Sequence, residues 1–305
     1  MQAQIPSQIR YWNRSTQREE VERVYGDALV RFIYNTGVGR ALNDLVLSRS
    51  LLSKAMGRYQ SSRLSRNAIG RFIADFGIPM EEYQDTQYGS FNDFFIRKFR
   101  PGMRSFSQSP SDFSAFAEGR YLAFASITED QTFPVKGADL SPEQILGNAE
   151  QAKSFVGGPL MICRLCPTDY HRFHFPDDGA VEEIYRVAGR YHSVNPMALR
   201  YKSEIFAINE RQVSILRTRN FGKVAYVEVG AMGVGKIVQS YNGINFKRGD
   251  EKGYFLFGGS TVIVFGEPEA WRPSADLLAN TAKRVETFVK LGDTVATAIV
   301  GNTNV

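Results

Sequence analysis

After Pro101 the chain is written in short apolar runs. Ile162–Leu165, Val224–Val229 and Val262–Phe265 are rich in β-branched and aromatic residues, with Gly, Asp and Asn between them. This spacing predicts a mainly antiparallel β core over 101–305, with short helices such as Pro142–Leu146 and Ala275–Leu278. From about Val21 to Phe99 the period changes. Apolar positions recur at helical spacing in Ala28, Leu29, Phe32 and Ile33, and again in Leu42, Leu45 and Val46. The expected class is therefore α+β: a helical N-terminal region over 1–100, then a β-rich core. At 305 residues and 43% hydrophobic, the chain can bury a sizeable interior. It shows no internal repeat and no low-complexity tract.

The formal net charge is +5, so the location of the excess matters more than its size. Between Arg31 and Phe72 the charges are nearly all basic: Arg31, Arg40, Arg49, Lys54, Arg58, Arg63, Arg66 and Arg71, against Asp44. Such a basic amphipathic stretch suits an anionic membrane interface, and it equally suits a solvated helix face. No helix-turn-helix, finger or RNP signature supports nucleic acid. No run approaches the roughly 20 apolar residues of a membrane span, so any membrane contact is expected to be peripheral. The N-terminal residues MQAQIPSQIRYWNRSTQREE have no apolar signal core. Two cysteines make no disulfide scaffold and fit a reducing compartment.

The histidines are His171, His174 and His192, and two of them sit in D-Y-H-R-F-H-F-P-D-D-G. On a strand, positions i and i+3 face apart; on a turn they converge. Two readings stand about level: a general-base site near neutral pH, or structural histidines before the turn at P-D-D-G. Cys163, Cys166, His171 and His174 have zinc-ligand chemistry, but the pairs are too close for the chain to turn back between them. Gly230–Lys236 reads G-A-M-G-V-G-K, yet Ile237 stands where a phosphate loop needs Ser or Thr, and a strand-like I-V-Q-S-Y follows.

Gly258-Gly259-Ser260-Thr261 interrupts the last apolar run. Glycine in a strand often marks a bulge or a close approach. It also leaves a carbonyl unshielded and tolerates unusual φ. If a base takes the Ser260 proton, its oxygen can attack the Gly259 carbonyl and shift the backbone from amide to ester. Elimination then cuts the chain, and hydrolysis of the resulting dehydroalanine leaves a pyruvoyl group.

Taken together, several segments resemble the pyruvoyl-dependent phosphatidylserine decarboxylase family. They are S-F-N-D-F-F-I-R-K (Ser90–Lys98), F-P-V-K-G (Phe133–Gly137), D-Y-H-R-F-H (Asp169–His174), S-V-N-P (Ser193–Pro196) and F-G-G-S-T (Phe257–Thr261). The resemblance implies a proenzyme that cuts itself between Gly259 and Ser260 into a β chain, 1–259, and an α chain, 260–305. Ser260 then carries the pyruvoyl cofactor, His174 is the base for Ser260, and His171 serves the decarboxylation. The substrate amine is expected to condense with the pyruvoyl carbonyl, so that phosphatidylserine loses carbon dioxide and leaves as phosphatidylethanolamine. No metal is implied.

One departure stands out. The family's P-A-D-G segment reads F-A-E-G here, so Glu118 takes the place of the acid that orients the base histidine, between the unusual neighbours Phe116 and Arg120. Glutamate can do the same electrostatic work, but its extra methylene moves the carboxylate, and such constellations tolerate little displacement. Asp169 is the alternative acid. The expected partners are a phospholipid substrate, an anionic membrane surface and the two chains of one precursor; the resemblance leaves room for a homodimer, and nucleic acid is not expected. The expected location is the cytoplasmic face of the cell membrane. Two rivals remain: a pyruvoyl-dependent decarboxylase of a free amino acid, and an uncleaved membrane-binding relative made plausible by Glu118.

Overall fold

The structure is a computed structural model that describes residues 9–22, 57–135, 138–187, 210–230, 236–257 and 260–299. It opens with a hairpin of β1 (Arg10–Asn13) and β2 (Arg18–Val21). A 3-10 turn (Arg63–Ala68), α1 (Ile69–Phe76) and α2 (Phe91–Phe95) follow. Next come β3 (Asp112–Ser114), β4 (Gly119–Phe124), β5 (Phe133–Val135), β6 (Ala138–Leu140), α3 (Pro142–Leu146) and α4 (Ala149–Lys153). The central strands are β7 (Leu160–Leu165), β8 (Arg172–His174), β9 (Gly179–Val187), β10 (Arg211–Thr218) and β11 (Lys223–Val229). The chain continues through β12 (Ile237–Gln239), β13 (Asn245–Phe246), β14 (Glu251–Phe255), β15 (Ser260–Gly266) and β16 (Trp271–Pro273). It closes with α5 (Ala275–Ala282), β17 (Glu286–Val289) and β18 (Thr294–Ala298).

Ten strands form one sheet in the order β13-β9-β10-β11-β15-β7-β4-β17-β1-β2. Every pairing in it is antiparallel except β1 with β17. Strand side chains alternate between faces, so β15 sends Val262 and Val264 into one core and Ile263 and Phe265 into the other. Both faces of β7 and β15 are covered, which is why they read as continuous apolar runs rather than alternating ones. A smaller sheet, β12-β14-β8, carries the histidine segment. A third cluster joins α1 and α2 to Tyr170 and Leu291.

The β core, the helices at Pro142 and Ala275, and the three apolar strands match the sequence expectation. The N-terminal expectation needs correction. Residues 10–21 are a hairpin, not a helix, and β1 adds them to the main sheet in parallel with β17. Asn13 Oδ1 accepts from the amides of Ser15 and Thr16 at the hairpin turn, and Tyr11 buries its ring. Most of the basic stretch, Arg31 to Lys54, lies outside the described residues. Its later part, from Arg58 to Arg71, is helical or 3-10 over most of its length.

Candidate functional site

Ser260 is the first residue of β15 and pairs with Leu165, the last residue of β7. It is fully buried. From Leu165 the chain turns through Cys166–Asp169 and reaches His171. The register therefore brings the start of one strand to the end of another, and the chain runs from that end through the turn into the histidine segment. Gly258, Gly259, His192 and the S-V-N-P motif lie outside the described residues. Just upstream, the Phe255 amide donates to the His171 carbonyl at 2.9 Å. The Phe257 amide donates to Asn92 Oδ1 at 2.8 Å, and its ring meets Phe91 and Phe95 edge-on.

The Cys166–Asp169 turn is closed at both ends. The Cys166 amide donates to Asp169 Oδ2 at 2.6 Å, and the Asp169 amide donates to the Cys166 carbonyl at 2.9 Å. Arg97, buried against Tyr83 and Phe94, donates to the carbonyls of Thr168 and Asp169. The Asp169 carbonyl also lies 3.0 Å from His171 Nδ1. A carbonyl only accepts, so this contact puts the ring proton on Nδ1 and leaves a lone pair on Nε2. His171 Nε2 is buried and has no hydrogen-bond partner among the described residues. The ring packs on Phe95 with centroids 3.8 Å apart. Burial, aided by the Arg97 charge, pushes the imidazole down to about 3, so His171 is neutral at pH 7.

His174 ends β8. Its Nδ1 lies 2.9 Å from the Gly249 carbonyl, which again makes Nε2 the accepting nitrogen. That Nε2 faces the Tyr170 hydroxyl at 3.4 Å. The His174 amide donates to the Phe116 carbonyl, and its own carbonyl accepts from Tyr226. Burial lowers the pKa of this histidine too.

The expected Glu118–His174 pair is not formed here. The backbone runs beside β8, since Ala117 bridges to Phe173. The Glu118 carboxylate, however, takes a forked pair from Arg104, Nε to Oε2 at 2.5 Å and one terminal nitrogen to Oε1 at 2.7 Å, plus the Leu291 amide at 3.0 Å. Planar guanidinium and carboxylate groups match in this way and hold each other strongly. Arg104 is further held by Glu82 and by the face of Phe99. The alternative acid, Asp169, is occupied by Arg120 at 2.6 Å. Arg120 also lies 3.1 Å from Glu22, and Arg164 bonds Glu22 and Glu286. This buried network ties the end of the N-terminal hairpin to the turn before His171.

Cys163 faces the Ala117 carbonyl and Cys166 lies 3.0 Å from Arg164; burial pushes both thiols well up. Asn92 and Phe95 on α2, and Arg97 just beyond its end, belong to the S-F-N-D-F-F-I-R-K motif, and each is buried with a contact at the site. Lys252 and Glu228 were missed altogether. Lys252 bonds Glu228 and Gln239 between the two sheets, both charges being almost completely buried. The available signal was Glu228 itself, a charge at an inward phase of K-V-A-Y-V-E-V.

A family model described as phosphatidylserine decarboxylase matches residues 91–297. A Clostridium kluyveri protein named phosphatidylserine decarboxylase proenzyme is 40% identical over 290 residues, covering 94% of this chain and 98% of its own. Proteins of the same name from Clostridium novyi and Chlamydia trachomatis are each 38% identical; the alignments cover 95% and 94% of this chain and 100% and 97% of theirs.

Proposed function

We infer that this chain, which belongs to the phosphatidylserine decarboxylase family, cuts itself between Gly259 and Ser260 and then converts phosphatidylserine to phosphatidylethanolamine. The observation that carries the reading is the buried Ser260 at a strand start, paired with the end of the strand that leads into the histidine turn, where His171 Nε2 has no partner among the described residues. An orphaned buried acceptor is costly unless something uses it.

In this reading His174 Nε2 takes the Ser260 proton. Its Nδ1–H to Gly249 fixes the tautomer that makes this possible. Glu118 supplies the orienting charge once Arg104 releases it. Ser260 Oγ bonds to the Gly259 carbonyl carbon as the Gly259–Ser260 amide breaks and the Oγ proton passes to the freed nitrogen. Loss of the Ser260 Cα proton with the Gly259 carboxylate then cuts the chain and leaves dehydroalanine, whose nitrogen departs as ammonia when water replaces it. The residues fit a pyruvoyl group at Ser260: a buried serine, two preceding glycines and a neutral imidazole in the turn that follows its partner strand. That group supplies an electron sink for the carbon–carbon bond that breaks. His171 is assigned to the decarboxylation step: its uncharged Nε2 accepts a hydrogen bond from the substrate ammonium and orients it.

The lipid is drawn from a membrane surface. No helix among the described residues is long and apolar enough to cross a bilayer. Tyr59 and Leu64 are instead exposed, 51% and 73%, among Arg58, Arg63 and Arg66. Apolar side chains ringed by cations suit an anionic interface. A second reading, an uncleaved lipid-binding relative, is favoured by the grip of Arg104 on Glu118.

Intact mass under denaturing conditions separates the two, beside a Ser260→Ala control. Two chains, with the smaller blocked by pyruvoyl, are expected. A single 34.3 kDa chain that releases no carbon dioxide from phosphatidylserine vesicles would favour the second reading. Release from free serine but not from vesicles would move the substrate to an amino acid.

A further inference from the structure

We propose that Asn92 is a positioning residue for self-cleavage, acting through the amide of Phe257. The proposal rests on the self-cleavage reading above. Asn92 is 3% exposed, and its side chain reaches in two directions. Oδ1 accepts from the Phe257 amide at 2.8 Å, and Nδ2 donates to Ser61 Oγ at 2.9 Å. The amide orientation follows from the partner, because a backbone N–H can only donate.

The position of that bond gives it a task. Ser260 is fixed by its pairing with Leu165. Phe257 is fixed by Asn92. Only Gly258 and Gly259 separate the two anchors, and the scissile bond lies in that span. Glycine is the least restricted residue, so a Gly-Gly span takes its direction from the residues that hold its two ends. Attack by a neighbouring oxygen depends steeply on aim. Asn92 holds the end that strand pairing does not.

The same short helix sets the other half of the geometry. Asn92 and Phe95 are three residues apart on α2 and share a face. Phe95 packs on both the His171 ring and the Phe257 ring. One turn of helix therefore fixes the Phe257 amide and the imidazole relative to each other. Ser90 caps this helix through the Asp93 amide, and the Phe91 amide bonds Ser65 Oγ, so the turn is itself anchored to the N-terminal helical segment.

The test is the time course of cleavage in freshly synthesised full-length chain, read by intact mass. Asn92→Leu keeps the volume and loses the acceptor; the expected result is cleavage at least about tenfold slower than wild type. Asn92→Asp keeps an acceptor and is expected within about threefold of wild type. Ser61→Ala removes only the second bond and is expected to do the same. Melting temperatures of each variant on a Ser260→Ala background report the fold separately. Asn92→Ala replaces the leucine variant if that one fails to melt cooperatively. Wild-type cleavage by the leucine or alanine variant overturns the proposal. So does an aspartate variant as slow as the leucine one, whatever its melting temperature, because the role is then structural. A wild-type chain that stays whole removes the self-cleavage reading along with this proposal; a cut wild type beside an equally cut Asn92 variant removes this proposal alone.

Discussion

His171 should make the fold sensitive to mild acid in a way that one substitution removes. The imidazole is fully buried and held at about 3 against an ordinary 6.5. The folded state therefore refuses a proton that the unfolded chain accepts. Between pH 6.5 and 3 the unfolded state binds more protons, so stability falls as the pH is lowered. The contribution is present above the unfolded value and is lost progressively toward the folded one. At pH 5 the unfolded histidine lies about 1.5 units above the solution pH, which corresponds to a loss of about 2 kcal/mol. Urea unfolding of the uncut Ser260→Ala chain at pH 7 and pH 5 measures it. His171→Gln cannot titrate, so it should lose about 2 kcal/mol less across the same step. His174 and the carboxylates titrate in both proteins and cancel in the difference. Equal losses in the two proteins would refute the reasoning, and would mean that the His171 site opens to water or finds a partner for the protonated ring.

Two further outcomes follow from the geometry. Lys252→Met strands the Glu228 carboxylate in the core and should cost about 3–5 kcal/mol in urea unfolding at pH 7, while adding Glu228→Leu should recover most of it; a single variant no worse than the double would show that the buried pair carries no such penalty. Replacing Arg58, Arg63 and Arg66 by Gln should weaken sedimentation with phosphatidylserine-rich vesicles by about 100-fold at low salt, from about 1 kcal/mol per charge, and the difference should vanish near about 0.5 M salt. Unchanged binding at low salt would place the membrane-facing surface elsewhere.

What the sequence made legible was local. The strands at Ile162, Val224 and Val262 announce themselves by β-branched runs, and α3 by Pro142 at its first turn, behind Ser141, which forms a capping box with Gln144 in the structure. The hairpin at residues 10–21 was misread because its strands are four residues each and charged; they hold their place through β17 and through contacts between Glu22 and Arg164, far away in the chain. The Glu118 position was readable, and its partner was not. Arg104 sits in P-G-M-R-S, where no pattern points to a carboxylate. The histidine pair was visible as composition, yet spacing alone could not say that Phe95 would cover one ring and Tyr170 face the other. Nor could Glu228 announce Lys252, which arrives from a different sheet.

The place of β15 has a consequence for the life history of the molecule. It lies in the interior of the ten-stranded sheet between β11 and β7, while β17, later in the same segment, is inserted between β4 and β1. If the backbone is cut before Ser260, the smaller piece is woven into the larger at two separate places and cannot peel away from an edge. The severed protein would hold together like a single chain and come apart like a dimer. Its recovery after unfolding would depend on concentration, because two fragments must meet again, and its durability would be set by how rarely the sheet opens rather than by a reversible equilibrium. On that reading folding would have to precede the cut, and the cut would turn refolding of one chain into reassembly of two.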